Sequence, residues 1–264
     1  PQDVGPRLKL ARLCARSGDH PGAVQHYEAC VKIEPEVPSH RRNLAEAYIK
    51  NRQIPAAIAA YEELLDVDKT RAAGYLRDLL KLYNSSNQRD AAIATAEKLV
   101  ETSPTSAELR IELAKIYMQH KEHFDEGIQQ YRNAIQLRDD EPSYYRDFGD
   151  ALLQAERVGE AQEIYRTMLE VAQDARTRID AIGRLAGVYV RLEKGDIITE
   201  EFQERVRANP GNLALYEELA TVFRARGERA EVMKTFESAR DAVDDTEGAL
   251  RLVLSEAFDT GDYP

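Results

Sequence analysis

The chain has few of the features that mark enzymes and membrane proteins. Only two cysteines, Cys14 and Cys30, occur among its 264 residues. It contains no glycine-rich phosphate loop, no nucleophile elbow and no paired-cysteine metal motif. No apolar run approaches the roughly 18 residues that a bilayer-spanning helix needs. These absences predict a protein with no catalytic site, no cofactor, no metal ligands and no direct membrane insertion.

The two cysteines do not fix the compartment. Both fall at inward positions of predicted helices, which favours buried free thiols over a disulfide. No signal peptide is visible, but the chain starts at Pro1 without a methionine, so this observation is uninformative. The sequence predicts a soluble protein and favours the cytoplasm, with the periplasm as the alternative.

Positive charge is scarce overall and unevenly distributed. The chain has 36 lysines and arginines against 47 acids, a net charge of -11. Residues 1–100 hold 15 basic and 13 acidic side chains, whereas residues 101–264 hold 21 and 34. Nucleic acids and anionic membranes require positively charged contact surfaces, so the composition argues against both as partners.

One pattern is present along most of the chain. A small residue is followed four positions later by an aromatic one, and the pair returns about every 34 residues. Residues four apart share one helix face, where the small one admits a neighbouring helix and the large one fills the space beyond it. The clear instances are Ala23/Tyr27, Ala57/Tyr61, Gly127/Tyr131 and Ala161/Tyr165, with weaker ones at Ala92/Ala96, Ile198/Phe202 and Val232/Phe236.

A second pattern precedes each of these pairs by about half a period. It is a large-small pair followed by a further large residue, as in Leu44-Ala45 with Tyr48. Short polar turns such as Ser17-Gly18-Asp19 separate the two patterns, and prolines such as Pro35 separate the periods. Each period therefore predicts two helices. A unit of this size cannot bury its apolar face alone and must stack on its neighbours.

Together these patterns resemble the tetratricopeptide repeat, a 34-residue helix-turn-helix. The resemblance covers essentially the whole chain, as seven consecutive units and a partial eighth. It implies an all-α fold, a right-handed α-solenoid (superhelix) of tandem helix-turn-helix repeats that forms a single array over 1–264. The predicted units are about 4–37, 38–72, 73–106, 107–141, 142–175, 179–212, 213–246 and the partial unit 247–264.

Departures from the pattern lead to further expectations. Three extra residues lie within Gln173–Arg178 and predict a joint at 173–178, and Arg205 stands where a small residue is usual. The segment Gly261–Pro264 repeats the turn pattern of Gly18–Pro21, which predicts that the chain is a piece of a longer array. The alternative is that residues 246–264 form a solvated cap helix.

One cluster could be drawn as a metal site. His120 and His123 form an H-x-x-H pair, with Glu122 and Asp125 nearby. A metal would need further fixed ligands and a supporting shell, so a solvated polar turn is the favoured reading.

The resemblance implies a ligand groove lined by the first helices, in which members of the family hold peptides or short helices. In the first three units, most of the charged residues at the groove positions are basic, and Glu46 is the single acidic one. Arginine suits carboxylates because it donates two parallel hydrogen bonds, so an acidic peptide or a chain terminus is expected. The alternative is that these are ordinary solvated charges. The predicted groove residues are Arg12, Arg16, Arg42, Asn43, Lys50, Arg77 and Lys81.

The expected function is therefore a non-enzymatic protein-protein interaction scaffold that binds a peptide or partner subunit in its groove. The family's terminal-carboxylate clamp is not expected, because only Asn43 matches its residues. Two alternatives stay open. The chain could be a structural module that self-assembles into a homo-oligomer through its array ends, or the regulatory arm of a larger protein whose catalytic domain lies outside it.

Overall fold

A computed structural model describes residues 3–260, and all regular secondary structure in that range is helical. Two short 3-10 helices, Lys69–Arg71 and Lys121–His123, accompany the α-helices. The α-helices are α1 (Val4–Ser17), α2 (His20–Ile33), α3 (Pro38–Lys50), α4 (Ile54–Val67), α5 (Ala72–Ser85), α6 (Arg89–Thr102), α7 (Ala107–Tyr117), α8 (Phe124–Leu137), α9 (Pro142–Gln154), α10 (Val158–Val171), α11 (Ala175–Arg191), α12 (Gly195–Ala208), α13 (Leu213–Arg226), α14 (Arg229–Ala242) and α15 (Thr246–Thr260).

The helices form two compact units. Unit 1 ends at His123 and contains the hairpins α1/α2, α3/α4 and α5/α6, followed by α7. Unit 2 begins at Phe124 and contains α8, the hairpins α9/α10, α11/α12 and α13/α14, and α15. The boundary lies inside the predicted repeat 107–141. The segment 173–178 lies within unit 2, and a joint there stays a prediction.

Within each unit, the odd-numbered helices are first helices of repeats and α2, α4, α6, α8, α10, α12 and α14 are second helices. Within each unit, every helix packs against the next helix along the chain, both inside a repeat and between repeats. The predicted fold class, an all-α stack of tandem helix-turn-helix repeats, is confirmed.

The small and large residues of the sequence patterns form the core. Ala161 and Tyr165 on α10 are fully buried. On α4, Ala57 is fully buried and Tyr61 is almost fully buried. Small residues let the helix backbones approach, and the aromatic rings fill the remaining space at the density of a protein interior.

The turn between the two helices of a repeat has a recurring backbone geometry. One residue in it adopts a left-handed conformation, with φ of 81° at Gly18 and 77° at Gly227. Four other turns place a non-glycine residue there, at a conformational cost of about 1 kcal/mol each that the flanking helices must offset. These residues are Arg52, Asn87, Glu156 and Glu193, with φ between 56° and 61°.

The extra residues at 173–178 lengthen one first helix. Asp174 caps the start of α11, where its Oδ1 accepts a hydrogen bond from the backbone N–H of Thr177 at 2.9 Å. The helix reaches 17 residues and packs mainly on α10 and α13, with fewer contacts to its own hairpin partner α12. A Cβ at Gly183 would lie 3.6 Å from Thr221 Cγ2 of α13, an ordinary van der Waals distance, so the packing of these two helices does not require glycine there.

No helix within residues 3–260 has both the length and the apolar character needed to cross a membrane.

Candidate functional site

The predicted groove residues all lie on the first helices of unit 1, on a surface that we call the first-helix face. Arg12 and Arg16 are on α1, Arg77 and Lys81 are on α5, and the remaining three are on α3. All are exposed to solvent except the half-buried Asn43.

Two buried tyrosines of second helices mark where these charges converge. Burial raises the pKa of Tyr27, the nearby charge of Glu46 raises it further, and the charge of Arg12 opposes the shift. Burial, followed by the charges of Asp78 and Glu46, raises the pKa of Tyr61 to about 12, against the opposing charge of Arg42. Each tyrosine therefore lies near charged residues of two consecutive first helices.

Two carboxylates partly neutralise the predicted basic stripe. Arg42 Nε lies 3.4 Å from Glu46 Oε1, and Lys81 Nζ lies 3.4 Å from Asp78 Oδ1. The groove mapping counted Glu46 alone and missed Asp78, which stands one residue after the expected groove position at Arg77. The sequence did contain the signal, since Asp78 is three residues before Lys81 on a helix.

Four of the predicted cations have no ion-pair partner among the described residues: Arg12, Arg16, Lys50 and Arg77. Arg16 and Lys50 lie in the last turns of α1 and α3, where a positive charge also favours the negative end of the helix dipole. Their positions thus have a structural explanation. Arg12 and Arg77 lie away from the helix ends, so the helix dipole does not explain their positions.

A recurring hydrogen bond holds the first helices of unit 1 in place. The hydroxyl of Tyr48 on α3 donates to Glu28 on α2 at 2.8 Å, and that of Tyr83 on α5 donates to Glu62 on α4 at 2.6 Å. The Tyr117 hydroxyl on α7 donates to Glu97 on α6 in the same way. Each bond ties a first helix to the second helix before it, which fixes the spacing of the charges on the first-helix face.

Unit 2 has a cleft of about 680 Å³ on its own first-helix face, between α9 and α11. Its charged lining is balanced, with three arginines and three carboxylates. Arg184 bonds Asp180 at 2.9 Å, so part of this charge is already satisfied internally. Two of these six charged residues lie within 173–178. They were not predicted from the sequence, because they precede the expected groove positions. The six are Glu141, Arg146, Asp174, Arg176, Asp180 and Arg184.

The histidine pair of the sequence analysis lies at the end of unit 1. The ring of His123 packs against that of Tyr117, with centroids 5.6 Å apart. Within the described residues, no three His, Cys, Asp or Glu side chains are grouped so that they could hold a metal ion. Cys14 and Cys30 are both free thiols.

The chain's similarity to known sequences agrees with this architecture. A sequence model described as tetratricopeptide repeat matches residues 15–80, which extend from the end of α1 into α5. The helices in that span have the hairpin pairing and the buried small and aromatic residues that the repeat requires.

Residues 15–80 are tetratricopeptide repeats.

Solved structures share the fold across nearly the whole chain. The C-terminal part of a tetratricopeptide-repeat protein from Cytophaga hutchinsonii is 13% identical, with a TM-score of 0.55, covering 93% of this chain and 98% of that one. A tetratricopeptide-repeat protein from Parabacteroides merdae is 15% identical, with a TM-score of 0.51, covering 97% and 99%. A chain of the Naa15/Naa10 complex bound to HypK-THB is 14% identical, with a TM-score of 0.53, covering 96% and 38%.

One curated relative is similar in sequence over part of its length. The human protein O-mannosyl-transferase TMTC3 is 30% identical over 128 residues, which are 48% of this chain. The match spans 14% of the length of TMTC3.

Proposed function

We propose that this chain is a non-enzymatic scaffold that binds an acidic peptide, chain terminus or partner subunit on the first-helix face of unit 1. The observation that carries the proposal is the row of exposed cations on three successive first helices. Arg12 and Arg77 lack both an ion-pair partner in the described structure and a helix-end role. The fold also occurs in an assembly of proteins, since one chain of the Naa15/Naa10 complex shares it.

A charge-reversal experiment tests this proposal. The probe is a fluorescein-labelled deca-glutamate peptide, titrated by fluorescence anisotropy at low salt, with deca-lysine as the negative control. We expect Arg42→Glu/Arg77→Glu to weaken binding by about tenfold, and added salt to weaken binding to the unmodified chain, because exposed charge pairs are screened.

The matched control reverses two exposed lysines on second helices of the same unit, Lys32→Glu and Lys98→Glu. This variant has the same net charge as the groove variant but leaves the first-helix face unchanged. The double variant Glu46→Gln/Asp78→Asn removes two acidic charges from the first-helix face and should strengthen binding. Equal losses in the two reversed variants would mean that only the net charge matters, and the proposed site would be wrong.

A specific observation also favours self-assembly as a second candidate function. Leu10 and Leu13 on α1 are 46% and 53% exposed. Their counterparts in all six later repeats are buried, because a preceding second helix covers them. On the last described helix, α15, Leu250 and Leu254 are exposed as well. The buried counterparts are Leu44, Leu79, Leu113, Phe148, Leu185 and Leu219 for Leu10, and Ala47, Leu82, Ile116, Ala151, Val188 and Val222 for Leu13.

If these end faces associate, the contact joins two different surfaces and has no built-in closure. We then expect the mass measured by sedimentation to rise above the 29.8 kDa of one chain as the concentration increases. Leu10→Ser/Leu13→Ser should hold the chain at one copy, whereas Leu137→Ser, which alters an exposed leucine of α8, should not. A constant single-chain mass at high concentration would exclude this function.

A further inference from the structure

Two of the second to seventh repeats lack a hydroxyl-bearing residue at one recurring position. We call this the tyrosine position, four residues after the first residue of the large-small pair. It is occupied by Tyr48, Tyr83, Tyr117, Leu152, Tyr189 and Phe223 in the second to seventh repeats.

At Tyr48, the ring lies between two successive second helices of unit 1, α2 and α4. Tyr48 packs in both neighbouring apolar clusters of unit 1. Burial, the hydrogen bond of its hydroxyl to Glu28 of α2 and the charges of Glu28 and of Glu63 on α4 together raise its pKa to about 12. The ring and its hydroxyl therefore close the gap between α2 and α4.

The same closure occurs once in unit 2 by different chemistry. The Tyr189 hydroxyl accepts a hydrogen bond from Arg166 Nη2 at 2.7 Å and another from Gln162 at 3.2 Å. Arg166 also donates twice to Glu201 of α12, at 3.1 Å for each bond. This network bridges α10, α11 and α12.

The side chains of Leu152 and Phe223 carry no hydroxyl that could bond to the flanking second helices. A cleft lies between those helices at each of the two positions. The cleft at Phe223, between α12 and α14, measures about 430 Å³ and has largely polar walls, with Lys234 and Glu231 paired at 2.6 Å. The cleft at Leu152, between α8 and α10, measures about 320 Å³. We call it the Leu152 cleft.

The Leu152 cleft is lined chiefly by apolar side chains. Phe148, Leu152 and Tyr145 of α9 form its floor, and Ile135 of α8 and Ile164 of α10 form its walls. The Tyr145 hydroxyl donates to the backbone carbonyl of Asp139 at 2.9 Å, so this polar group is already satisfied. The volume is at the lower end of the roughly 300–1,000 Å³ typical of ligand sites and matches one large side chain.

The charged side chains at the rim of the Leu152 cleft leave one negative charge uncompensated. Arg132 Nη2 lies 2.7 Å from Glu160 Oε2, so this pair joins α8 to α10 and neutralises itself. Glu163 is exposed and has no cation partner among the described residues. It lies in a unit whose sequence, 124–264, contains 30 acidic and 18 basic side chains. The uncompensated charge beside the apolar floor is therefore negative.

We propose that the Leu152 cleft is a second binding site, on the second-helix side of unit 2, for a protein segment that presents an aromatic side chain flanked by basic residues. The aromatic ring enters the cleft between Ile135 and Ile164, above the buried Phe148 and Leu152, and a neighbouring lysine or arginine lies over Glu163. Buried aromatic anchors supply most of the binding energy in many interfaces, and the rim charge favours basic partners over acidic ones. The site shares no residue with the proposed groove, so either can fail alone.

The test uses the tripeptide N-acetyl-Arg-Trp-Arg-amide as the probe and the full chain with labelled isoleucine methyl groups. We expect saturable NMR shifts at the methyl groups of Ile135 and Ile164. N-acetyl-Glu-Trp-Glu-amide should bind more weakly. Glu163→Lys should weaken binding of the basic peptide by about twofold to fivefold at low salt, the range for one exposed charge pair.

The chain itself supplies the design of a closing variant. Leu152→Tyr places at the cleft the residue found at 189, facing Arg132, which occupies the repeat position of Arg166. Its ring should fill the cleft and weaken binding of the basic peptide by about tenfold, the scale of losing one buried anchor. Phe223→Tyr makes the corresponding change in the other cleft and should leave binding unchanged.

Several outcomes would overturn the proposal. They are an absence of saturable shifts with the basic peptide, equal binding of the acidic peptide, and unchanged binding in Leu152→Tyr. Shifts at Ile135 and Ile164 that follow protein concentration without any peptide would mean that a second copy of the chain occupies the cleft, and would also overturn it. Glu163→Lys alters an exposed residue, so the charge test stands even if Leu152→Tyr does not fold.

Discussion

Replacing Gly149 by alanine is expected to destabilise unit 2 by about 1–3 kcal/mol, the usual cost of overpacking a filled core. A Cβ at this position would lie less than 3 Å from three ring atoms of Tyr165. The ring has no room to withdraw, since Tyr165 is fully buried and its hydroxyl donates to Asp150 Oδ1 at 2.6 Å. Alanine is otherwise favoured over glycine inside a helix, so the sign of the effect reports on the packing.

The matched control is Gly187→Ala on α11, where a Cβ would have no heavy atom within 4 Å. There we expect a gain of about 0.5–1 kcal/mol from helix propensity alone. Urea unfolding followed by circular dichroism measures both variants. The interpretation would be wrong if Gly149→Ala were neutral or stabilising, because α9 and α10 would then pack less closely than the structure shows.

The repeat architecture was predictable because each residue choice in a repeat agrees with its neighbours. The four-residue spacing of Ala161 and Tyr165 specifies a buried helix face, and the recurrence of the pair specifies stacking. Gly18 and Gly227 mark two of the turns by their residue type. The turns at Arg52 and Glu156 adopt the same left-handed geometry without a glycine, so their conformation was not readable from composition.

The side-chain partnerships were less predictable, because they join residues 20 to 40 positions apart. Asp78 could have been anticipated beside Lys81, since both are on one helix. Whether Tyr189 would be bonded by a carboxylate, as Tyr48 is, or by Arg166 depends on how successive second helices are placed. Only the missing hydroxyl at Leu152 was visible in the sequence, and its consequence required the positions of α8 and α10.

The departure at Arg205 has a structural explanation of the same long-range kind. Arg205 on α12 and Arg178 on α11 converge on Glu218 of α13, whose side chain is only 7% exposed. Arg178 Nε donates to Glu218 Oε1 at 3.0 Å, and Arg205 Nη2 lies 2.7 Å from Oε2. Two guanidinium groups from two helices thus compensate one buried carboxylate. Arg178 is the last of the residues 173–178, so the insertion and the unusual arginine belong to one arrangement.

Removing both arginines should therefore be among the most damaging surface-accessible changes in the chain. In Arg178→Ala/Arg205→Ala the carboxylate of Glu218 stays buried without compensation, and we expect unit 2 to lose about 3–5 kcal/mol of stability. Each single variant should lose less than half as much, because one guanidinium remains beside the carboxylate. Urea unfolding gives the size of the loss, and hydrogen exchange of the α11, α12 and α13 amides localises it.

The triple variant Arg178→Ala/Arg205→Ala/Glu218→Leu separates the charge from the packing. Apolar replacement of a buried ion cluster is often neutral or stabilising, so the added Glu218→Leu should restore most of the lost stability. If the triple variant stayed as unstable as the double, the loss would come from the arginine stems that cover α13, not from an uncompensated charge. The cation–π contact of Arg205 with the Phe202 ring, at 4.7 Å to its centroid, would then be the contact to examine by Phe202→Leu.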